Sequence, residues 1–152
     1  MIMLKKITED NFRECLKLEV EENQKNFVAN NTHSLAQAWL YYENAKPFAI
    51  YNDDEMVGFV MLAMDYNGGA AKGICDLWRF MIDKKYQRKG FGKAAMEAVI
   101  SYVKEEFDYK KIMTSFVQGN TSAENLYKSF GFVPNGEFDG DEIVMILDFI
   151  KN

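Results

Sequence analysis

The sequence predicts a mixed α/β fold in one domain that spans residues 1–152. Three observations support this prediction. Strand-like and helix-like segments follow one another in the order β-α-α-β-β-β-α-β-α-β-β, two short polar turns join neighbouring strands, and no linker, repeat or low-complexity stretch divides the chain. With 48% hydrophobic and 27% charged residues, the chain is able to bury one sizeable core.

The N-terminal third begins with a strand and two helices. Met3–Ile7 is the predicted strand, and Thr8 begins a helix that we expect to run to about Glu22. Ser34, followed three residues later by Gln37, is a capping-box pattern and predicts the start of the second helix.

The middle of the chain contains three strands. Phe48–Tyr51 and Met56–Met64 flank the polar turn Asn52–Glu55, which predicts an antiparallel hairpin. Met56–Met64 is apolar on both faces, so we expect a central strand that is covered on both sides. A loop at Gly68-Gly69 leads to the third strand, Ile74–Ile82.

The C-terminal half alternates helices and strands before a closing hairpin. A second capping box, from Thr121 to Glu124, predicts a short helix, and the dipeptide Asp139-Gly140 is a strong hairpin signal. In chain order, the elements are a helix with Met96, Val99, Ile100, Val103 and Phe107 at helical spacing, strand Ile112–Phe116, the short helix, and strands Phe132–Phe138 and Glu142–Phe149.

Composition and charge narrow the classes of function. A net charge of −5 argues against nucleic acid as the main partner, because duplex binding depends on neutralising phosphates, and it suits a cationic small molecule. Cys15, Cys75 and the single His33 are widely spaced, which disfavours a metal site and a disulfide framework. Lys5 and Lys6 interrupt the N-terminus and no apolar run approaches roughly 18 residues, so we expect no signal peptide, no membrane span and a cytoplasmic location.

The most informative segment is the glycine-bearing loop that joins the strand ending at Ile82 to the longest helix. Gly90 and Gly92 stand at the helix start, where N–H groups lack partners, the helix dipole is positive and a phosphate is able to approach the backbone closely. Arg88, Lys89 and Lys93 add positive charge to this start. The segment therefore predicts a phosphorylated ligand, with a pyrophosphate as the best fit.

This loop has two other interpretations. The glycines alone would also permit a tight turn with solvated charges. The spacing Gly90-x-Gly92-x-x-Ala95 also fits a dinucleotide-binding fingerprint, but the preceding strand ends about eight residues too early. Asp108, the acidic residue near the required distance, precedes the next strand instead of ending it, which further disfavours that fingerprint.

Two motifs resemble the GCN5-related N-acetyltransferase (GNAT) family. The first is Gln87-Arg88-Lys89-Gly90-Phe91-Gly92, and the second is Asn120-x-x-Ala123-x-x-Leu126-Tyr127-x-x-x-Gly131-Phe132. The resemblance covers nearly the whole chain and implies a mostly antiparallel sheet flanked by helices. Residues 22–28, 34–38 and 78–83 also look like bacterial spermine/spermidine acetyltransferases.

The resemblance implies acetyl-CoA as co-substrate and no metal. By similarity, acetyl-CoA would lie between the strand ending at Ile82 and strand Ile112–Phe116, and a backbone N–H near Met81 or Ile82 would donate to the acetyl carbonyl. The residues that the resemblance assigns to acetyl-CoA binding are Phe80, Met81, Ile82, Gln87, Arg88, Lys89, Gly90, Phe91, Gly92, Lys93, Asn120 and Tyr127.

The resemblance also implies direct attack by an amine, with Tyr127 as the general acid for the departing thiolate, although core packing is the plainer role for this residue. The amine needs a base, because an amine of pKa about 10.4 is almost fully protonated at neutral pH. At the position where related enzymes can carry an acid stands Trp78, so we name Asp76, two residues earlier, as the first candidate base. The other candidates are Glu22, Glu43 and Glu142.

The expected acceptor is a primary amine of spermidine or spermine. Carboxylates beside aromatic faces suit an extended alkyl-ammonium chain, and the residues expected to contact it are Glu22, Trp39, Tyr42, Trp78 and Glu142. The alternatives are an amphipathic helix pair with no such role, another acceptor (a protein N-terminus or lysine, an aminoglycoside or another small amine), and a non-catalytic acyl-CoA sensor. We also expect a possible homodimer through an exposed strand at Glu142–Phe149.

Overall fold

The computed structural model describes residues 1–64, 73–107 and 109–149. The loop expected at Gly68-Gly69 and the residue Asp108 lie outside the described residues. The elements are β1 (Ile2–Lys6), α1 (Phe12–Lys17), α2 (Asn31–Leu40), β2 (Ala45–Asn52), β3 (Glu55–Met64), β4 (Ile74–Ile82), α3 (Phe91–Glu106), β5 (Lys111–Val117), α4 (Thr121–Ser129), β6 (Val133–Asp139) and β7 (Glu142–Asp148), with 3₁₀ turns at Glu22–Gln24 and Lys84–Tyr86.

The strands form one mixed sheet in the order β1-β2-β3-β4-β5-β7-β6. Every neighbouring pair is antiparallel except β4 and β5, which run parallel because α3 connects them. The predicted fold class and element order are therefore confirmed. β3 is buried from Met56 to Met64, as its apolar sequence predicted.

The sheet is covered on both faces. On one face, α3 packs Met96, Val99 and Val103 against the main core. On the other face, α1 and α2 cover a smaller core that includes Phe59 and Met61. This two-sided burial explains why β3 carries apolar residues at both even and odd positions.

Three predicted helix boundaries are wrong, and tertiary or side-chain hydrogen bonds explain each. α1 ends at Lys17 instead of near Glu22, because the backbone N–H of Glu19 donates to the Asp83 carboxylate at 2.9 Å instead of continuing a helix. α2 begins at Asn31 instead of Ser34, since the Asn30 side chain accepts from the His33 N–H at 2.8 Å. Likewise Asn120, not Thr121, caps α4 by accepting from the Ala123 N–H at 3.3 Å.

Two strand predictions also need correction. β2 starts at Ala45, three residues earlier than predicted, and includes Pro47. Pro47 lies opposite Met61 of β3, but on the other side of β2 the pairing with β1 begins only at Phe48, so Pro47 has no strand partner on that side. The strand at Glu142–Asp148 is not an edge strand, because β6 pairs with it, and β6 is the exposed edge strand at this end of the sheet.

Candidate functional site

A cleft opens where β4 and β5 separate. The two strands pair only over Ile74–Asp76 and Lys111–Met113, and beyond this point a cavity of about 770 Å³ lies between them. At the point of separation the Thr114 hydroxyl donates to the Leu77 carbonyl at 3.3 Å. The cleft thus lies between the two strands where the resemblance implied a gap.

The loop from β4 to α3 has a backbone suited to an anion. Asp83 is buried and holds the loop start by accepting from the Lys85 N–H at 3.1 Å. Arg88 and Gly90 both adopt positive φ, +61° and +86°, and Gly90 caps the 16-residue helix α3. Alternating left-handed residues at a helix N-terminus turn successive N–H groups toward one point, which is a phosphate-binding arrangement.

The cleft collects most of the residues predicted to hold acetyl-CoA. It is lined by Phe80, Met81, Ile82, Gln87, Arg88, Gly92, Asn120 and Tyr127. Lys89, Gly90, Phe91 and Lys93 do not line it, although they belong to the adjoining loop and the first turn of α3. At Gly92 an added Cβ would lie 3.9 Å from Ile82 and 4.0 Å from Leu126, so the first turn of α3 lies close against the end of β4. The described residues therefore fit a ligand with a pyrophosphate at one end and a narrow arm.

Tyr127 lies in the cleft wall and in the core at once. Its side chain is only 6% exposed and packs on Phe132 with ring centroids 5.5 Å apart, yet it lines the cleft. Burial raises the pKa of Tyr127 above its usual value, a hydrogen bond with Thr114 opposes that change, and the Glu142 charge adds to it. The phenol therefore stays protonated at neutral pH, as a proton donor must. The core-packing role and the proposed acid role are compatible.

Carboxylate side chains lie on the sheet face opposite α3, near the point where β4 and β5 separate. The pKa of Asp76 is raised from 3.8 to about 7, chiefly by burial; the Asp139 and Glu142 carboxylates add to the rise, and the Arg79 guanidinium opposes it. Glu142 lines the cleft and accepts from the Ser115 hydroxyl at 3.1 Å. Asp76 itself does not line the cleft.

Arg79 is a cleft residue that sequence reasoning missed. Its guanidinium donates to Gln37 of α2 at 2.6 Å and to the Trp78 carbonyl at 3.1 Å, and it lies 5.4 Å from the centre of the Trp78 ring. The pairing of β4 with β3 shifts by one residue here, because Leu62 faces Leu77 and Met61 faces Arg79. A single basic residue within an otherwise largely apolar strand was the available signal.

Several residues expected to bind the acceptor lie away from the cleft. Trp39 and Tyr42 are 75% and 68% exposed, with ring centroids 6.0 Å apart, because Trp39 lies at the C-terminal end of α2 and Tyr42 just beyond it, where the chain faces solvent. Glu22 is bound by Lys25 at 2.8 Å, is largely exposed and is not part of the cleft wall. Glu43 is also exposed and outside the cleft. Trp78 and Glu142 do line it.

An N-terminal segment supplies the cleft wall instead. Residues Val20, Gln24, Lys25, Asn26, Phe27, Val28 and Ala29 line the cavity opposite the separated strands. Only the irregular path of this segment after α1, which the sequence did not predict, brings it there.

Within the described ranges, no group of three or more His, Cys, Asp or Glu side chains is arranged to hold a metal ion. In the same ranges, no helix has both the length and the apolar character needed to cross a membrane.

Comparisons with known proteins agree with this geometry. The model of the acetyltransferase (GNAT) family matches residues 5–132. This chain is 35% identical over 150 residues to the spermine/spermidine N(1)-acetyltransferase of Bacillus subtilis (strain 168) and to the probable spermine N(1)-acetyltransferase of Bacillus subtilis subsp. natto (strain BEST195), covering 95% of this chain and 97% of each relative. The crystal structure of aminoglycoside acetyltransferase AAC(6')-Ib in complex with coenzyme A superposes with a TM-score of 0.80 at 15% identity, covering 97% of this chain and 95% of that one. At that identity the likeness establishes the fold alone.

Proposed function

The chain belongs to the acetyltransferase (GNAT) family, and we propose that it transfers an acetyl group from acetyl-CoA to a primary amine of spermidine or spermine by direct attack. The observation that carries the choice of acceptor is the 35% identity, over 95% of the chain, to a spermine/spermidine acetyltransferase. The carboxylates at and near the cleft, Glu142 and Asp76, support it, because they suit a cationic acceptor.

Acetyl-CoA supplies an acetyl group that is activated as a thioester. The N–H groups of residues 88–93 would hold its pyrophosphate, with Arg88, Lys89 and Lys93 providing charge. The separated part of β4, Phe80–Ile82, has no strand partner on the side that faces β5, as an added strand from the pantetheine arm would require. Asn120 contributes its side chain at the opposite wall, and an N–H near Met81 or Ile82 would donate to the acetyl oxygen as it becomes negative.

Tyr127 and Asp76 would divide the proton transfers. Tyr127 would donate its hydroxyl proton to the sulfur as the C–S bond breaks, and the resulting phenolate would regain a proton from the nitrogen, which must lose one to become an amide. Asp76, with a pKa raised to about 7, would accept the proton of the attacking ammonium through water, since it does not line the cleft itself. Glu142 would hold the ammonium group, and Phe27 and Trp78 offer aromatic faces to the alkyl chain.

The experiment that tests this function is release of thiol from acetyl-CoA by the purified chain between pH 7 and 9. Separate reactions would contain spermidine, spermine, putrescine, an aminoglycoside and a peptide with one lysine. Saturable turnover with the polyamines alone is the expected result. Preference for the aminoglycoside or the peptide would reassign the acceptor, and coenzyme A binding without turnover on any amine would favour an acyl-CoA sensor.

The Asp76→Asn variant is expected to change the dependence of the rate on pH. In the wild type, kcat/KM for the polyamine should rise through about pH 7 as Asp76 ionises, and rise again toward the pKa of the amine. The variant should lose the first rise and fall about 10- to 100-fold at pH 7.5. A variant that keeps the first rise would remove Asp76 from the reaction and leave Glu142 as the base to test.

The same substitution gives a second, activity-independent readout. The folded-state pKa of Asp76 is raised from 3.8 to about 7. The proton on Asp76 therefore contributes its full stabilisation of the folded state below about pH 4, and this stabilisation is lost as the pH rises through 7. Asp76→Asn is always neutral, so its free energy of unfolding relative to wild type should increase between pH 4 and 8, by ~4 kcal/mol at most. Urea unfolding at both pH values measures this difference, and a constant difference would mean that the Asp76 pKa is not raised.

Two further parts of the proposal concern location and assembly. A cytoplasmic location is consistent with the two buried, unpaired cysteines, Cys15 and Cys75. A homodimer would use the exposed edge strand β6. Light scattering of the purified chain measures the oligomeric state directly.

A further inference from the structure

Residues 19–29, here called the wall segment, separate two cavities. The cleft described above lies on one side, and a second cavity of about 560 Å³ lies on the other. Val20, Lys25, Val28 and Ala29 line both cavities. Val20 and Val28 pack against the smaller core, but cavities lie on both sides of the segment, so core packing is not the only contact that can fix its position.

Paired amide groups fix the wall segment to the cofactor loop. The Gln24 Nε2 group donates to Gln87 Oε1 at 3.1 Å, and Gln87 Nε2 donates back to Gln24 Oε1 at 2.9 Å. Gln87 Nε2 also donates to the carbonyl of Ile82, the last residue of β4, at 2.9 Å. Gln24 Oε1 accepts in addition from the Glu21 N–H at 3.0 Å.

This network has geometric consequences at both ends. At one end, Gln87 begins the glycine loop and holds the end of β4. At the other end, the Gln24 carbonyl accepts from the Phe27 N–H at 2.9 Å, so Gln24 is hydrogen-bonded to a residue that lines the cleft. All of these side-chain hydrogen bonds are partly buried. The pair needs one donor and one acceptor from each side chain, which two amides supply.

The other contacts between the wall segment and the loop contribute less to its position or lie farther from residues 25–29. Arg88 and Glu21 form an ion pair at 2.8 Å, but the Arg88 side chain is 78% exposed, and exposed pairs of this kind contribute little. The Glu19 N–H and carbonyl bond Asp83 and Lys84, each at 2.9 Å, at the far end of the segment. Gln24 is therefore the contact best placed to position residues 25–29.

We propose that Gln24 is a positioning residue that couples the loop from Gln87 to Lys93 to the wall segment. Coenzyme A bound at that loop would thereby order residues 25–29 for the amine. The role of these residues toward an acceptor rests on the proposed function, whereas the coupling itself does not. A ligand that restricts the loop restricts the wall through the Gln24–Gln87 pair, and the second ligand then has less ordering entropy to overcome.

The test compares Gln24→Met, which keeps length and removes the amide, with Gln118→Met as the matched control. Gln118 is exposed and lies outside both cavities. Hydrogen exchange of the backbone amides in residues 20–29 is measured for each full chain with and without coenzyme A. We expect coenzyme A to slow this exchange at least about threefold in wild type and in Gln118→Met, and to leave it unchanged in Gln24→Met.

Steady-state kinetics with acetyl-CoA and spermine supply the second readout. Gln24→Met should raise the KM for spermine about five- to tenfold, the effect of one neutral hydrogen bond, while kcat and the coenzyme A Kd change less than about twofold. Gln24→Glu keeps the acceptor atom for Glu21 and Gln87 and loses one donor, so its effect should be smaller. It also serves as the second variant if Gln24→Met folds poorly.

The outcomes separate the two proposals. If coenzyme A still slows exchange in the wall segment of Gln24→Met as in wild type, the coupling is wrong whatever the acceptor. If no amine is acetylated by wild type, the proposed function fails, and the exchange comparison still decides the role of Gln24. A fall in kcat with an unchanged spermine KM would also overturn the positioning role.

Discussion

The Gly90→Asp variant is expected to lose acetyl-CoA binding, with a Kd for coenzyme A raised at least about 100-fold. Gly90 caps α3 with φ of +86°, beside the first N–H groups of the helix. An aspartate at this position would bring a carboxylate against the proposed pyrophosphate and would itself accept those N–H groups. Loss of several charge-assisted hydrogen bonds accounts for an effect of this size. Isothermal titration with coenzyme A measures it.

The chain offers a matched control in Gly136→Asp. Gly136 has φ of +88°, close to the +86° of Gly90, and at both glycines an added Cβ meets no atom within 4 Å. The backbone strain of the two substitutions should therefore be similar, and only the position relative to the loop differs. Gly136→Asp should bind coenzyme A within about twofold of wild type. Equal affinities of the two variants would remove Gly90 from the proposed pyrophosphate site.

Local patterns predicted the parts of the fold that depend on local physics. The turn residues at Asp139-Gly140 and the two-sided apolar pattern of Met56–Met64 were sufficient, because a hairpin turn and a doubly buried strand each leave their signal within a few residues. The end of α1 was not predictable in the same way. It depends on the Asp83 carboxylate, which accepts from the Glu19 N–H across 64 residues of sequence.

The candidate site likewise has one part that local sequence patterns predicted and one part that they did not. The loop from Gln87 to Lys93 and the helix with Tyr127 carry motifs, so their residues were named from the sequence, and the structure brings most of them to one cleft. The acceptor side carries no motif. Phe27 reaches the cleft through an irregular segment, whereas Trp39, which was expected at the acceptor as an aromatic face beside carboxylates, lies in solvent at the end of α2.

Arg79 illustrates why charge at the acceptor end could not be judged from composition. The sequence suggested carboxylates alone, but the structure places a guanidinium beside them, held by Gln37 at 2.6 Å. This cation opposes the rise in the pKa of Asp76 that burial and the Asp139 carboxylate produce. The protonation of the proposed base therefore depends on Arg79 of the same strand and, through it, on Gln37 of α2, 42 residues earlier in the sequence.

The Tyr127→Phe variant is expected to lower kcat about 100-fold and to leave the fold intact. The ring remains, so its packing on Phe132 at 5.5 Å is retained, and only the hydroxyl is lost from the cleft wall. General acids typically contribute 10²- to 10⁴-fold, and water in the open cleft limits the loss to the lower end of that range. Coenzyme A affinity should change less than about threefold, which titration and single-turnover rates separate from the chemical step.

Tyr102→Phe provides the control, because it removes a phenolic hydroxyl from a partly buried ring that packs against the same core. Tyr102 packs edge-on against Phe48 and Phe107 and lies outside the cleft, so its variant should keep the wild-type kcat. The pKa of Tyr127 is raised above its usual value, so its hydroxyl should remain a donor throughout pH 7 to 9. A wild-type kcat that falls within that range, or a Tyr127→Phe variant as active as Tyr102→Phe, would assign Tyr127 to core packing alone and leave water as the proton source.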